Sequence, residues 1–565
     1  MDFVLTLHSH LPYVLNHGRW PHGSDWICEA TLDTYLPLLE TLRSLDAEQT
    51  AAPVTIGFTP VLANQLASPV FVREMEAFFQ QRLVACDEAP ASLAKTGESQ
   101  LLPQVAFWRT RIERLRRLFR EIDGNLVAAF RALEAAGRLE IIGSAATHGF
   151  LPLLARDESI RFQLAVGTAE HRRLFGRAPQ GCWLPECAYR PRGAWAPWPG
   201  GPRSPMRRGI EEHLADAGFR YFFVDSHLAS AGRPLGLSGD PQALDPEVHQ
   251  PTARAGAGAG IATRSPYQAY RVAHTRGTDV SAFVRDPRAS MQVWSRFEGY
   301  PGDGAYLEFH KMRWPGGLKL WRVTGAGVDL GAKQPYDPAV AGDRARGHAQ
   351  HFAGLLAGIA QAESRHRDGV VVAPFDTELF GHWWSEGPDF LGEVYRALRE
   401  RADVRPSTGS HHLSRHPTRA AIRMPAGSWG ANGDFSMWIS DQTAWTWQRL
   451  WPLEQRFWDV APAALGSDDT RFILAQAARE LLLAQSSDWQ FIISTGAAAD
   501  YGERRFREHC SDTEELVQAL EDRSAAALDR GHRRAAELAE RDAIFPDVLP
   551  ALAAALGGSR SLVVG

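Results

Sequence analysis

The sequence predicts an α/β protein with parallel strands. Short apolar runs alternate with helical patterns, as in RLEIIG at 138–143, the helical pattern at 160–175 and RYFFVD at 220–225. Polar clusters follow several of these runs, and catalytic groups of α/β barrels gather at the carboxyl ends of strands. We therefore expect the functional residues along one edge of a parallel sheet.

The first apolar run, residues 2–8, leads into HSHLPY, which contains His8 and His10. Two histidines at i and i+2 project to one side of an extended segment. Because no third ligand of clear spacing follows, we interpret them as hydrogen-bonding groups on the floor of a site. The pattern then predicts a helix at about 30–42 and a strand at 53–58.

A long helical pattern occupies residues 75–136, in which Val105, Trp108 and Ile112 recur every three or four positions. It is long for a single crossover connection, so we interpret it as a helical insertion. Gly137 ends it, and the strand at 138–143 follows.

The segment 226–265 is long and irregular and contains ARAGAGAG. No strand leads into these glycines and no GK[ST] follows, which argues against nucleotide binding. A long loop in a compact domain is often a lid, so we predict a mobile loop.

The carboxyl-terminal part becomes polar and rich in histidine at about 401–417 and then reads as mostly helical. We predict two domains. The first is a catalytic domain at 1–405, which includes the insertion and the mobile loop. The second is a helical domain at 406–565.

Composition excludes several classes of function. The chain has 565 residues with 44% hydrophobic and 22% charged residues, and its net charge of −5 offers no field for nucleic acid or anionic membranes. Five cysteines without a CxxC pair argue against a disulfide framework or a zinc ribbon. No basic leader or apolar run of about 18 residues is evident, so we expect a cytoplasmic protein. We also expect a protein without a metal or a cofactor.

Two acidic stretches dominate the site prediction. GCWLPECAYR at 181–190 contains Glu186, and VVVAPFDTELFGHWWSEGP at 370–388 contains Asp376 and Glu378. Paired carboxylates are typical of glycosyl transfer, and the chain's 18 tryptophans suit sugar stacking. For one acid alone, a helix cap or a salt bridge would explain the residue equally well, and spacing leaves Asp376 and Glu378 as alternatives.

Five blocks, in order, resemble glycoside hydrolase family 57 and, within it, the bacterial α-1,4-glucan branching enzymes. The blocks are LHSHLPY, RLEIIGSAATHGFLP, CWLPECAY, APFDTELFGHWWSEG, and the late SWGANGDFSMW with LLLAQSSDW. The resemblance covers nearly the whole chain. It implies an incomplete (β/α)7 barrel with a helical insertion and a mostly helical C-terminal domain that closes one side of the cleft.

The resemblance also implies roles for individual residues. Glu186 would be the nucleophile and Asp376 the general acid/base. The residues lining the glycosyl subsite would be His10, His148, Arg285 and Asp488, and the glucan platforms would be Trp294, Trp429 and Trp438. In a retaining enzyme the two catalytic carboxyl groups lie about 5–5.5 Å apart. The implied partner is an α-1,4-glucan, and the implied product is an α-1,6 branch.

One feature departs from the branching members, which carry a tyrosine near the tip of the mobile loop. Residues 226–265 contain no tyrosine, and Tyr267 and Tyr270 come later. A hydrolytic α-glucanase with the same site is therefore an alternative. A metal-dependent sugar enzyme fits less well because HSH lacks an HxD partner. The remaining alternative is a catalytically silent glucan-binding protein.

Overall fold

A curled sheet of parallel strands forms the centre of the amino-terminal part. The computed structural model describes residues 1–229, 265–272, 280–294, 299–364 and 368–557. The strands are β1 (Asp2–Ser9), β2 (Val54–Phe58), β3 (Leu139–Ser144), β4 (Gly181–Trp183), β5 (Gly193–Trp195), β6 (Ser204–Arg207), β7 (Tyr221–Val224), β8 (Tyr270–Val272), β9 (Ser281–Val284), β10 (Val370–Asp376), β11 (Arg405–Pro406) and β12 (Ala421–Ile422).

Among the described residues, seven strands run parallel in the order β10-β1-β2-β3-β4-β7-β9. The backbone N–H of Asp286, just after β9, donates to the carbonyl of Val372 in β10 at 2.8 Å. The two ends of the parallel series therefore approach each other. This arrangement confirms the incomplete (β/α)7 barrel. Strand β8 extends the sheet antiparallel to β9, β12 pairs with β8, and β11 pairs with β1.

Helices surround the sheet and form the carboxyl-terminal part, which confirms the predicted helical character of that part. They are α1 (Ser24–Ala30), α2 (Leu36–Ala47), α3 (Pro60–Leu66), α4 (Pro69–Lys95), α5 (Leu102–Glu121), α6 (Leu126–Ala135), α7 (Asp157–Phe175), α8 (Ile210–Asp216), α9 (Pro287–Trp294), α10 (Pro338–Ala362), α11 (Gly387–Arg399), α12 (Gly409–Arg415), α13 (Ala444–Leu465), α14 (Asp468–Ala484), α15 (Asp488–Thr495), α16 (Ala499–Asp522), α17 (Ala525–Arg541) and α18 (Val548–Gly557).

The predicted domain limits stay a prediction. The segment 75–136 contains most of α4 together with α5 and α6, while the short strands β11 and β12 pair within the barrel sheet. Residues 230–264 of the predicted mobile loop lie outside the described residues. Across the described ranges, the helices lack the combination of length and apolar character that a membrane crossing requires.

The helix predicted at 30–42 is interrupted by a π-helical turn, Thr31–Tyr35, between α1 and α2. All five residues of this turn are buried. The Tyr35 hydroxyl donates to Glu378, and Asp33 accepts from the ammonium group of Lys319 at 3.0 Å. Single π turns within helices often occur near functional sites. Side-chain periodicity does not show such a turn, because it adds only a local change in winding.

The helical part packs on the barrel through its tryptophans. The indole N–H groups of Trp451 and Trp458, both in α13, donate to the Leu153 carbonyl at 2.9 Å and to the Ser159 hydroxyl at 2.8 Å. Both indoles are buried. These contacts hold α13 beside the loop that follows β3, and so they place the carboxyl-terminal helices over that end of the sheet.

A buried ionic cluster joins the first barrel loop to the carboxyl-terminal helices. The fully buried Asp542 carboxylate accepts from His17 Nε2 at 2.6 Å and from Arg541 Nε at 2.7 Å. His509 lies beside it and contacts Glu480 at 2.8 Å. Burial alone would raise the pKa of Asp542, but the His17 hydrogen bond and the nearby His509 and Arg541 charges hold that pKa well below its usual range.

We expect Asp542→Asn to lower the free energy of unfolding by about 2–4 kcal/mol at neutral pH, because it removes the buried carboxylate that accepts from His17 and pairs with Arg541. A depressed carboxyl pKa contributes stability above the unfolded pKa of about 4 and loses it as pH falls towards the folded value. Denaturant unfolding at several pH values should therefore show that the difference in the free energy of unfolding between wild type and variant becomes smaller in acid. Asp529→Asn, at an exposed position of α17, is the matched control. An equal loss in both variants would contradict the assignment.

Candidate active site

Glu186 lies just after β4 in an unusual backbone conformation. Its φ of 60° and ψ of 23° are left-handed, and Cys187 also has a positive φ of 47°. Non-glycine residues adopt this region at an energetic cost and are concentrated at functional sites. The turn holds the Glu186 carboxyl group at the carboxyl end of the sheet.

Two side chains donate to the Glu186 carboxylate. Trp429 Nε1 donates to Oε2 at 2.9 Å, and Ser487 Oγ donates to Oε1 at 3.0 Å. Burial raises the pKa of Glu186 to about 7, with a further contribution from the charge of Asp488, while the donors Trp429 and Ser487 oppose the rise. Both donors lie after residue 425, so the carboxyl-terminal part of the chain supports this carboxylate directly.

Asp376, the last residue of β10, has a different environment. Burial raises its pKa well above the usual range, and the neighbouring charges of Glu378 and Glu186 raise it further. No described residue donates a hydrogen bond to its carboxyl group. Such an environment favours the protonated acid. The distance between the Glu186 and Asp376 carboxyl groups stays a prediction.

The Glu378 carboxyl group already accepts hydrogen bonds from the protein. Its Oε1 accepts from the backbone N–H of His10 at 3.1 Å and from the Tyr35 hydroxyl. It is buried, and burial raises its pKa to about 7. We therefore interpret Glu378 as a structural acid that positions His10. Asp376 is the freer of the two carboxyl groups that spacing could not separate.

A raised pKa alone does not identify the site. Burial also raises the pKa values of Glu386 and Glu454 to about 7. Glu386 accepts from the Tyr336 hydroxyl at 2.7 Å, and Glu454 accepts from the Gln485 side-chain amide at 2.8 Å. Both of these carboxyl groups therefore accept a hydrogen bond from a protein side chain. Asp376 differs from them in its position at the end of β10 and in having no donor among the described residues.

Three histidines stack beside Glu186. His10 and His148 stack with ring centroids 4.1 Å apart, and His8 stacks on His148 at 4.9 Å and on Trp183 at 4.6 Å. Burial holds the pKa values of His8 and His148 well below the usual range. Both rings are therefore neutral at physiological pH. His148 Nδ1 lies 3.7 Å from Glu186 Oε1.

His10 joins the barrel to the carboxyl-terminal part. Its Nδ1 contacts the Thr59 hydroxyl at 2.9 Å, and its Nε2 contacts Asp488 Oδ2 at 2.9 Å. Asp488 also accepts from the Ser486 hydroxyl. The sequence predicted both His10 and Asp488 for the glycosyl subsite, and the structure brings them together near Glu186.

Arg285 follows β9 and is buried. Its Nη1 lies 3.2 Å from Asp225 Oδ2, and its Nε donates to the Ser290 hydroxyl at 3.1 Å. Burial opposes ionisation of Asp225, but the Arg285 charge lowers the pKa of that carboxyl to about 2. The ionic partner of Arg285 is therefore Asp225. Arg285 Nη2 is buried without a partner among the described residues.

Trp294 and Trp429 enclose Arg285. The guanidinium lies 5.6 Å from the ring centroid of each, and the two indoles meet edge to face at 5.9 Å. Trp429 is only 2% exposed. Its indole contacts both Glu186 and Arg285, so most of the Trp429 side chain is already covered by the protein.

Trp438 lies in a packed environment. It is fully buried and packs on Phe150 with centroids 4.6 Å apart. Its carbonyl accepts from Trp447 Nε1 at 2.7 Å. The platform role of Trp438 stays a prediction.

Several site residues were not predicted from the sequence. They are Trp183, Ser487, Asp225 and Tyr35. Trp183 and Ser487 lie inside the CWLPECAY and QSSDW blocks, so their position next to predicted residues was an available signal. Tyr35 carried no such signal, because its contact with Glu378 joins residues far apart in the chain.

Among the described residues, two groups of side chains that could ligate a metal ion lie outside this site: Asp2 with His412 and His416, and His17 with His509 and Asp542. In each group the carboxylate already accepts from an arginine, Arg415 at 2.8 Å and Arg541 at 2.7 Å. Neither group includes Glu186 or Asp376.

Comparison with known proteins gives the family. Residues 4–425 match the profile of glycosyl hydrolase family 57. The chain belongs to this family. Residues 451–551 match a second profile, described as 1,4-alpha-glucan branching enzyme, C-terminal. The membership that the five sequence blocks indicated is confirmed.

Three relatives show how far the similarity extends. A 1,4-alpha-glucan branching enzyme of Thermococcus kodakarensis is 39% identical over 520 residues, which are 92% of this chain and 73% of that one. Its crystal structure superposes with a TM-score of 0.87 at 36% identity and covers 98% of this chain and 96% of that one. A probable 1,4-alpha-glucan branching enzyme of Mycobacterium tuberculosis is 31% identical over 574 residues, 96% of both chains. An alpha-amylase of Thermotoga maritima has a TM-score of 0.78 at 27% identity and covers 98% of this chain and 99% of that one.

Proposed function

We propose that this family 57 protein is a retaining 1,4-α-glucan branching enzyme. The match of residues 451–551 to the C-terminal region of branching enzymes carries the proposal. The relatives from Thermococcus kodakarensis and Mycobacterium tuberculosis, both named as branching enzymes, support it along most of the chain. Residues 451–551 also contribute Ser487 and Asp488 to the site, so the matched region includes side chains that contact Glu186 and His10.

The environments of the two carboxyl groups support distinct roles. Glu186, with two donors, is the group that is better stabilised as an anion, and we assign it as the nucleophile. Asp376, buried beside two other carboxyl groups and without a donor among the described residues, is the better proton holder, and we assign it as the general acid/base. The glycosyl group would be held by His10, His148, Arg285 and Asp488. The side walls of its subsite would be formed by Trp294 and Trp429.

Two steps then form a branch. Glu186 attacks C1 of an α-1,4-linked glucosyl unit, the C1–O4 bond breaks, and Asp376 gives its proton to O4. The result is a β-glycosyl ester on Glu186. Asp376 next takes the proton of an incoming 6-hydroxyl, whose oxygen attacks C1 and releases Glu186. Two inversions retain the α configuration and give an α-1,6 linkage.

For the acceptor and the cellular setting, we propose a glycogen-type glucan in the cytoplasm. The same two steps with water as acceptor would give an α-amylase. The similarity to the Thermotoga maritima amylase and the lack of tyrosine in 226–265 favour that second candidate.

Incubation with amylose separates the two candidates. We expect new α-1,6 signals in the proton NMR spectrum that clearly exceed the reducing ends released, and we expect debranching by isoamylase to remove them. Reducing ends without α-1,6 signals would contradict branching and support hydrolysis. The Glu186→Gln variant is the control for a contaminating activity.

A further inference from the structure

Ser487 lies at the junction between the helical part and the nucleophile. It directly precedes α15 and is fully buried. Its backbone N–H donates to the His148 carbonyl at 3.1 Å, and the neighbouring Ser486 forms an antiparallel bridge with Gly149. These backbone contacts hold the Ser487 hydroxyl in a defined position between His148 and Glu186.

Three hydrogen bonds connect His8 to Glu186 through this hydroxyl. His8 Nε2 lies 3.0 Å from His148 Nε2, His148 Nδ1 lies 2.9 Å from Ser487 Oγ, and Ser487 Oγ lies 3.0 Å from Glu186 Oε1. Each neutral histidine carries one proton, and a hydroxyl has one proton to donate. The chain can therefore run in only two directions, either towards Glu186 or away from it.

The orphaned nitrogen of His8 selects the direction. His8 Nδ1 is buried and has no partner among the described residues. If the chain ran away from Glu186, His8 would carry its proton on Nδ1, where a buried N–H would have no acceptor. Orphaned N–H groups are rarer in proteins than unsatisfied acceptors. The chain therefore runs from His8 Nε2–H to His148, from His148 Nδ1–H to Ser487, and from the Ser487 hydroxyl to Glu186.

We propose that Ser487 is a positioning residue that, with His8 and His148 behind it, orients the Glu186 carboxylate and favours its ionised form. The proposal rests on the assignment of Glu186 as nucleophile. A hydroxyl that donates to Glu186 binds the carboxylate more strongly than the protonated acid, so the direction set by His8 favours the charged form of the nucleophile. The carboxyl-terminal helical part thereby takes part in the reaction through one hydroxyl group.

The test compares Ser487→Ala with Ser487→Thr, which keeps the hydroxyl, and with Ser494→Ala as control. Ser494 lies in α15, which Ser487 precedes, and its hydroxyl donates to the Met437 carbonyl at 2.6 Å, outside the site. Cleavage of α-1,4 bonds in amylose is measured, so the readout serves whether the acceptor is a glucan or water. We expect Ser487→Ala to lower kcat about ten- to hundredfold, the range of one hydrogen bond to a charged group, with KM little changed.

The pH dependence of kcat/KM is a measurement that a purely structural role of Ser487 would leave unchanged. The acidic limb of kcat/KM reports ionisation of the nucleophile, and loss of the hydroxyl should shift it to higher pH. Several other groups face Glu186 and stay in place in this variant: Asp488, His10, His148, Asp376 and Trp429. Ser487→Thr should restore both kcat and the limb, and Ser494→Ala should leave both unchanged.

A second variant tests the chain if Ser487→Ala does not fold. His8→Phe keeps a ring against Trp183 and removes the N–H at the start of the chain, so we expect a shift of the acidic limb in the same direction. Wild-type kcat and an unmoved limb in both Ser487→Ala and His8→Phe would overturn the proposal. A wild-type protein that cleaves no α-1,4-glucan would instead overturn the proposed function, so the two failures are distinguishable.

Discussion

Glu186→Gln is expected to reduce turnover of amylose by about 10⁴-fold or more, the scale of losing a nucleophile. An amide cannot form the glycosyl ester, and the neighbouring groups that remain do not replace it. Glutamine matches the shape of glutamate, and its oxygen can still accept from Trp429. The melting temperature should therefore stay close to that of the wild type. A variant with wild-type turnover would contradict the assignment.

A rescue experiment distinguishes the nucleophile from a binding residue. Glu186→Gly suits the left-handed backbone at this position, because glycine adopts positive φ without strain. With azide and an α-maltooligosyl fluoride, azide should enter where the carboxylate was, attack C1 and displace fluoride. A single displacement inverts the centre, so the product should be the β-glycosyl azide. An α-azide would show that a covalent intermediate still forms and that another group is the nucleophile.

Asp376→Asn is expected to reduce amylose turnover by about 10²–10⁴-fold, the contribution of general acid–base catalysis. Fluoride leaves without a proton, so an α-maltooligosyl fluoride should still glycosylate Glu186 in this variant. Azide, which needs no base, should then release the sugar. Because two displacements occur, the product should be the α-glycosyl azide. The opposite configurations expected for the two variants make the role assignment testable without a structure of the complex.

Glu378→Gln is the matched control for Asp376→Asn, because it changes a neighbouring acid in the same stretch. Glutamine can still accept from Tyr35 and from the His10 backbone, so we expect a much smaller loss and no rescue by azide. If Glu378→Gln loses more activity than Asp376→Asn and azide rescues it, the roles of the two acids are reversed.

The sequence alone indicated the α/β class and the location of the chemistry. Strands followed by polar clusters show in the sequence, because apolar periodicity and turn residues are local properties. The two acidic stretches could be found in the same way, and the ordered blocks identified the family. The spacing of Asp376 and Glu378 could not separate them, since they lie two positions apart after the same apolar run.

Tertiary structure decided which side chains contact one another. Tyr35 donates to Glu378, Asp225 pairs with Arg285, and Trp438 is fully buried. Each of these outcomes depends on contacts between residues far apart in the chain, and local patterns carry no information on which donor reaches which acid. The direction of the His8 to Glu186 chain is the clearest case. His8 Nδ1, which is buried without a partner among the described residues, sets this direction. Only the packing of the barrel determines which atoms lack a hydrogen-bond partner.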